Sequence, residues 1–246
     1  MRPVMTQNKF LQKLPETILE KFDQHAELVQ IVRGRGDNER ESRVDFIYFP
    51  VTCVYSLEMP MADGCTSHLG LLGYRDAIGA RNLIDLNLPG VPRVILSGYA
   101  IRLRSEIFAG ALSRSSDVRC VVQDQFVRMS HSLGVTNACN MRHPLQRRLA
   151  RWVLNLNYAS GLTGFDLTHE ELAHFLGVRR EAVTEGLARL TQAGVLKNSR
   201  GRLEIRDISA LRSFSCECGQ VDPSNLEYVR VDRPRGVERS LRVAGV

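Results

Sequence analysis

Residues 179–185 read Arg-Arg-Glu-Ala-Val-Thr-Glu, a set of side chains suited to the edges of nucleic-acid bases. An arginine can fork onto guanine and a carboxylate can accept from cytosine, and each well-formed pair discriminates by about 1–3 kcal/mol. On a helix beginning at Arg179 or Arg180, the spacing turns Val183, Leu187 and Leu190 inward. Arg179, Arg180, Glu181, Thr184 and Glu185 then face outward. Two glutamates on that face would repel phosphate, which argues against sequence-blind binding. Thr168 and Arg200 fall where a helix N-terminus and a hairpin tip would touch the backbone of a duplex.

The elements that must position these residues are legible around them. Thr168 is followed three residues later by Glu171, a capping-box pattern that opens a helix over His169–Leu176. Leu172, Ala173 and Leu176 line its inner face, and Gly177 suits the left-handed turn into the next helix. That helix ends at Ala193-Gly194. Two short strands, Val195–Asn198 and Arg202–Arg206, flank Ser199-Arg200-Gly201 as a hairpin. Helix, turn, helix and wing together form a winged helix-turn-helix. From Arg142 to Arg206 there are eleven Lys or Arg against six Asp or Glu, so most of the chain's net charge of +6 lies in this segment. Such an excess favours contact with phosphate.

Upstream, the texture changes twice. Asn8–Asp23 has apolar residues three and four apart, predicting one or two short helices broken at Pro15. From Glu27 to about Arg104, short apolar runs are punctuated by Gly, Pro, Asp and Asn, which predicts an all-β sandwich or barrel. Ser116–Asn140 contains no Pro and one Gly, with an apolar stripe through Val118, Val122, Phe126, Met129 and Leu133. A long helix follows, burying its stripe on its own β domain, on a twin helix in a dimer, or on both. The break comes at Asn140–His143, because Pro144 cannot continue the helix but suits the first turn of a new one. The expected fold class is therefore α+β. The expected domains are a β-rich sensor unit at 1–115, the long helix at 116–140 and the DNA-binding unit at 141–215. A poorly ordered tail is expected at 216–246.

The stretch LTHEELAHFLGVRREAVTEGLARLTQAGVL resembles the helix-turn-helix of the Crp/Fnr family of bacterial regulators, and RRLARWVL is similar to the helix before it. The order of elements over about residues 10–212 matches that family too. The resemblance implies a cyclic-nucleotide-binding-like jelly roll, dimerisation through the long helix, and DNA reading by Arg180 and Glu181. It also implies double-stranded DNA, RNA polymerase and a small-molecule effector as partners. A later family arginine falls at Glu185, so a relative's operator does not carry over. In the sensor half, GYRDAIGAR lacks the glutamate of a cyclic-AMP pocket, and in PRVILSG Arg93 is followed by Val94. Arg81 and Arg93 remain as candidates to hold an anion, with residues 73–80 as a short helix beside them.

Composition excludes several classes. No apolar run approaches the roughly 20 residues of a membrane span, and the N-terminal stretch lacks the apolar core of an export signal, so the cytoplasm is the expected compartment. The six cysteines include no CxxC pair, and the nearest two are Cys216-Glu-Cys218. In a reducing compartment these read as free thiols. The first cysteine is Cys53, too late for an N-terminal iron–sulfur cluster, and Cys65 with His68 reads as part of a β face. No cofactor, metal ligand or catalytic residue is assigned. A cupin-like enzyme would need several histidines in the β domain, where Glu27–Arg104 holds only His68. A ligand-binding adaptor with a protein-contacting winged helix is the other alternative.

Overall fold

A computed structural model describes residues 2–34, 45–80, 90–199 and 201–219. The chain opens with helix α1 (Arg2–Met5), a 3-10 turn (Leu11–Lys13) and helix α2 (Glu16–Asp23) that starts directly after Pro15. Asn8 anchors this segment although its side chain is wholly buried. Its amide donates to the carbonyls of Pro50 and Asp76, and its Oδ1 accepts from the Phe10 and Leu11 amides. All its polar atoms are thereby satisfied, as burial requires.

Six strands follow: β1 (Glu27–Ile31), β2 (Phe46–Pro50), β3 (Val54–Pro60), β4 (Thr66–Leu72), β5 (Val91–Leu96) and β6 (Gly98–Arg104). They form two antiparallel sheets, ordered β1-β6-β2 and β4-β3-β5. Cys53, Tyr55, Leu57, Val94 and Ala100 pack in one cluster with Leu72 and Ile78. A second cluster joins Ile47, Phe49, Ile101 and Leu103 to Phe10, Phe22 and Phe108. The aromatic rings there lie 5.8–6.2 Å apart, within the range of favourable tilted contacts.

Residues 73–79 do not form the expected helix. The Gly73 amide donates to Asp76 at 2.9 Å, while Ala77 exchanges two hydrogen bonds with the Gln125 side chain. Ile78 bridges back to Tyr48. Side chains thus take the backbone groups that a helix would have used.

Helix α3 (Ser105–Arg114), unmarked by a clear sequence signal, leads into the long helix α4 (Ser116–Arg142). Val118, Val121, Val122, Gln125 and Arg128 of α4 are buried. Phe126, Met129 and Leu133 are half-buried, so the stripe read from the sequence is enclosed fully only near its start. His143 caps α4 in extended conformation, and Pro144 precedes α5 (Leu145–Ser160).

The C-terminal unit adds β7 (Gly164–Asp166), α6 (His169–Leu176), α7 (Arg180–Gln192), β8 (Leu196–Ser199), β9 (Arg202–Ile205) and α8 (Ile208–Phe214). The sheet order is β7-β9-β8, so the wing is a third strand wider than its hairpin. Leu149, Val153 and Leu156 of α5 pack with Leu172, Val183, Leu187, Leu190 and Leu211. That cluster also takes in Val54, Ile95 and Leu96 from the β domain. The two halves therefore share one apolar core. The last described residues run on past the expected boundary of the tail: Cys216 is fully buried, since a 3-10 turn (Glu217–Gly219) folds back beside α4 and α5. Among the described residues no helix is long and apolar enough to cross a membrane.

Candidate nucleic-acid interface

Local chemistry builds the DNA-facing unit. Thr168 caps α6 with a complete capping box: its Oγ1 accepts from the Glu171 amide at 3.2 Å, and Glu171 Oε2 accepts from the Thr168 amide at 2.8 Å. Gly177 turns the chain at φ 62°, a conformation glycine adopts without steric penalty. The Val178 amide closes that turn onto the Ala173 carbonyl. Arg179 sits at the N-cap of α7 in extended conformation, without a side-chain capping bond, and Arg180 begins the helix.

Gly186 explains how closely α7 approaches α5. A Cβ at that position would stand 3.0 Å from Leu149 Cδ2, so glycine lets the two helices touch. The inner face of α7 is thereby held on the core. Arg179, Arg180, Glu181, Thr184 and Glu185 are all exposed, as is Thr168. Arg200 lies outside the described residues; its neighbours Ser199 and Gly201 mark the β8–β9 turn.

A hydrogen-bond relay joins the three elements. Asn198 Nδ2 of the wing donates to His169 Nε2 at 2.8 Å, and His169 Nδ1 lies 2.8 Å from Thr184 Oγ1. With Nε2 accepting, the neutral ring carries its proton on Nδ1 and donates to Thr184. Thr184 Oγ1 in turn donates to the Arg180 carbonyl at 3.0 Å. Thr184 thus fixes α7 against α6 and the wing. Glu185 pairs with Arg189 one turn on, which neutralises part of the acidic charge on the exposed face of α7. His169 and Asn198 escaped the sequence reading. Their only signal was polarity at the two edges of the motif, and the contact itself depends on how wing and helix pack.

The β-rich half presents a different kind of site. Arg81 is outside the described residues. Arg93 is exposed on β5 and pairs at 3.3 Å with the buried Glu58. A cavity of about 470 Å³ opens instead between β4, α4 and α5, lined by Arg75, Arg128, Met129, Leu133, Tyr158 and Arg212. Arg75 stacks over Tyr158 at 4.1 Å from the ring centroid. Arg128 is largely buried, with Asp124 and Asp76 beside it. Burial pushes the Asp76 carboxyl above its ordinary range, against the pull of the Gly73 amide and Arg128.

The two halves meet at an aromatic seam. Trp152 and Phe175 stack at 5.1 Å, and His68 of β4 lies 5.4 Å from Phe175. Trp152 Nε1 donates to His68 Nε2 at 3.3 Å, and His68 Nδ1 lies 2.8 Å from Ser56 Oγ. Burial, with His174 and Arg151 nearby, holds His68 down at about 4, so it stays neutral near pH 7. His68 is therefore an interdomain acceptor. At the far side of α5, Cys139, His143, Cys216 and Cys218 converge, a grouping hidden in the sequence by the 72 residues between its halves.

Residues 147–214 match the family described as the Crp-like helix-turn-helix domain. Residues 147–214 are therefore a Crp-like helix-turn-helix domain. The fold agrees over a longer span. A structure described as a Crp/Fnr-family transcriptional regulator from Eubacterium rectale superposes with a TM-score of 0.62 at 17% identity, over 85% of this chain and 98% of that one. FixK2 from Bradyrhizobium japonicum gives 0.60 at 15% identity, over 78% and 98%. The c-di-GMP-responsive regulator CLP from Xanthomonas campestris gives 0.56 at 15%, over 78% and 100%. At such identities the likeness is one of fold. A search by sequence among curated proteins found no match. The chain thus combines a Crp-like helix-turn-helix domain with a β domain whose fold those regulator structures share.

Proposed function

We propose that this Crp/Fnr-type regulator binds a two-fold, pseudo-palindromic operator as a homodimer, with Arg179, Arg180, Glu181 and Glu185 meeting base edges. The observation that carries the reading is α7 itself: its inner face is locked on α5, while its charged face is exposed among the described residues. Thr168 at the α6 N-terminus and Arg200 at the wing tip then contact phosphate.

Dimerisation through α4 has its own support. Cys120, Val127, Gly134 and Met141 recur every seven residues and are exposed, Val127 at 50% and Met141 at 77%. A seam of that period suits a twin helix. Two copies of α7 would then read half-sites about one helical turn apart. The cavity with Arg75, Arg128 and Arg212 suits a small anionic effector that biases the placement of the two halves. RNA polymerase as a further partner and the cytoplasm as the compartment accord with this reading.

Selection of duplexes from a random pool by the full chain tests it. A symmetric site is expected, with affinity falling steeply as salt rises. Arg180→Ala should lose about 1–3 kcal/mol of discrimination at one base pair of each half-site, with the melting temperature unchanged. Recovery of no preferred duplex, or of an asymmetric site bound by one chain, would sink the proposal.

A further inference from the structure

We infer that Cys139, His143, Cys216 and Cys218 form a four-coordinate site for a single zinc-class ion, clamping the C-terminal end of the DNA-binding domain to the end of α4. Cys139 and His143 lie one helical turn apart, on the last turn and the cap of α4. Cys216 and Cys218 follow α8 on the 3-10 turn that folds back beside them. The four ligand atoms all lie within 4.8 Å of one another. Cys139 Sγ is 3.5 Å from Cys216 Sγ, and Cys218 Sγ is 3.7 Å from His143 Nδ1. Zinc–sulfur bonds of about 2.3 Å and zinc–nitrogen bonds of about 2.0 Å set tetrahedral edges of roughly 3.5–3.8 Å. These two edges are therefore already at ligand spacing. An iron–sulfur cluster spreads its ligands around a multi-atom core and would need them farther apart.

The surroundings fit a metal as well. His143 turns Nδ1 to the sulfurs and places Nε2 3.1 Å from Glu217 Oε1. A carboxylate behind a ligating imidazole is the arrangement that fixes its tautomer and raises its basicity. Three thiolates and one divalent ion leave one negative charge, and two arginines stand ready to offset it. Arg151 is buried to 6% exposure; one of its nitrogens reaches Thr136 Oγ1 at 3.3 Å, and its Nε has no protein partner. Arg148 donates to Asn140 and to the Leu176 carbonyl. Neither arginine has a carboxylate partner among the described residues. Because the ligands come from both sides of the α4–α5 break, occupancy would set the angle at which α7 is presented. Metal content is read independently of DNA binding, so this inference and the operator proposal can fail separately.

The test uses the full chain, expressed with added zinc and purified under reductant. One zinc per chain is expected by elemental analysis, and cobalt substitution should give thiolate charge-transfer and tetrahedral ligand-field bands. Cys218→Ser and His143→Ala should abolish stoichiometric binding, whereas Cys65→Ser and Cys120→Ser should retain it. Glu217→Gln leaves the ligands intact on an exposed side chain and should weaken affinity about 10–100-fold. Circular dichroism on each variant separates ligand loss from misfolding. A chain that folds yet takes up neither zinc nor cobalt overturns the inference. So does full metal retention in Cys218→Ser and His143→Ala together, or a Cys139–Cys216 disulfide in protein kept under reductant.

Discussion

The helix-turn-helix domain and the β-rich half reach their candidate sites by opposite routes. The former assembles its exposed α7 face from one continuous stretch, residues 165–206, in which cap, glycine turn, inward leucines and wing follow in order. The cavity and the seam at His68 draw their walls from β4, α4, α5, α6 and α8. The difference is one of range. Local rules of capping and periodicity suffice for the first kind of site, and only long-range packing makes the second.

Yet the two halves are not independent, because Val54, Ile95 and Leu96 of the β domain lie in the same apolar cluster as Leu149 and Leu187. The largest expected effect tests that union. Leu149→Ala, at a fully buried position facing Gly186, should cost about 2–5 kcal/mol of stability. Trp152 is the only tryptophan and sits on the seam, so its fluorescence reports the interface while circular dichroism reports the whole. Coincident loss of both signals at a lower temperature is expected. Two separated transitions would break the shared core into independent domains.

A smaller effect sharpens the account of the seam. His68 stands at about 4 in the folded chain against an ordinary value of 6.5. Between those values the unfolded chain binds a proton that the native ring does not, so the contribution is full above pH 6.5 and fades as pH falls toward 4. Allowing for the ring's partial exposure, the loss amounts to about 2 kcal/mol over that window. Urea unfolding at several pH values should show it, and His68→Gln should flatten the difference. An unchanged pH profile in that variant would remove His68 from the interdomain contact.

The smallest effect separates two duties of one residue. Thr168→Ala should destabilise the domain by about 1 kcal/mol through the lost cap. If Thr168 also touches phosphate, affinity should fall by a similar factor for every duplex, with specificity unchanged. Thr168→Ser should restore both. A variant that keeps full affinity while losing stability would leave Thr168 a cap alone.

The strands from β1 to β6, the long helix, the break at Pro144 and the helix-turn-helix were each legible to within about three residues, because alternation, helical periodicity, proline and capping act over a few neighbours. The helix expected at 73–80 failed for a tertiary reason: Asp76 and Gln125 occupy the backbone groups of that stretch. Helix α3 and strand β7 were missed because neither carries a strong local period. Cys216 and Cys218 read as part of a tail, since nothing near them in the chain reveals Cys139 or His143.

What the sequence alone determined is therefore the DNA-binding unit: its caps, its turn, its inward leucines and the residues on its outer face. Each depends on contacts no more than about one helical turn away. The tertiary structure decided the rest. It brought His169 and Asn198 to Thr184, gathered three arginines around one cavity, and set the Cys139, His143, Cys216 and Cys218 side chains at the α4–α5 break within 4.8 Å of one another. Those juxtapositions come from the packing of whole helices and sheets, in which a residue's partner is chosen by shape and burial rather than by its place in the chain.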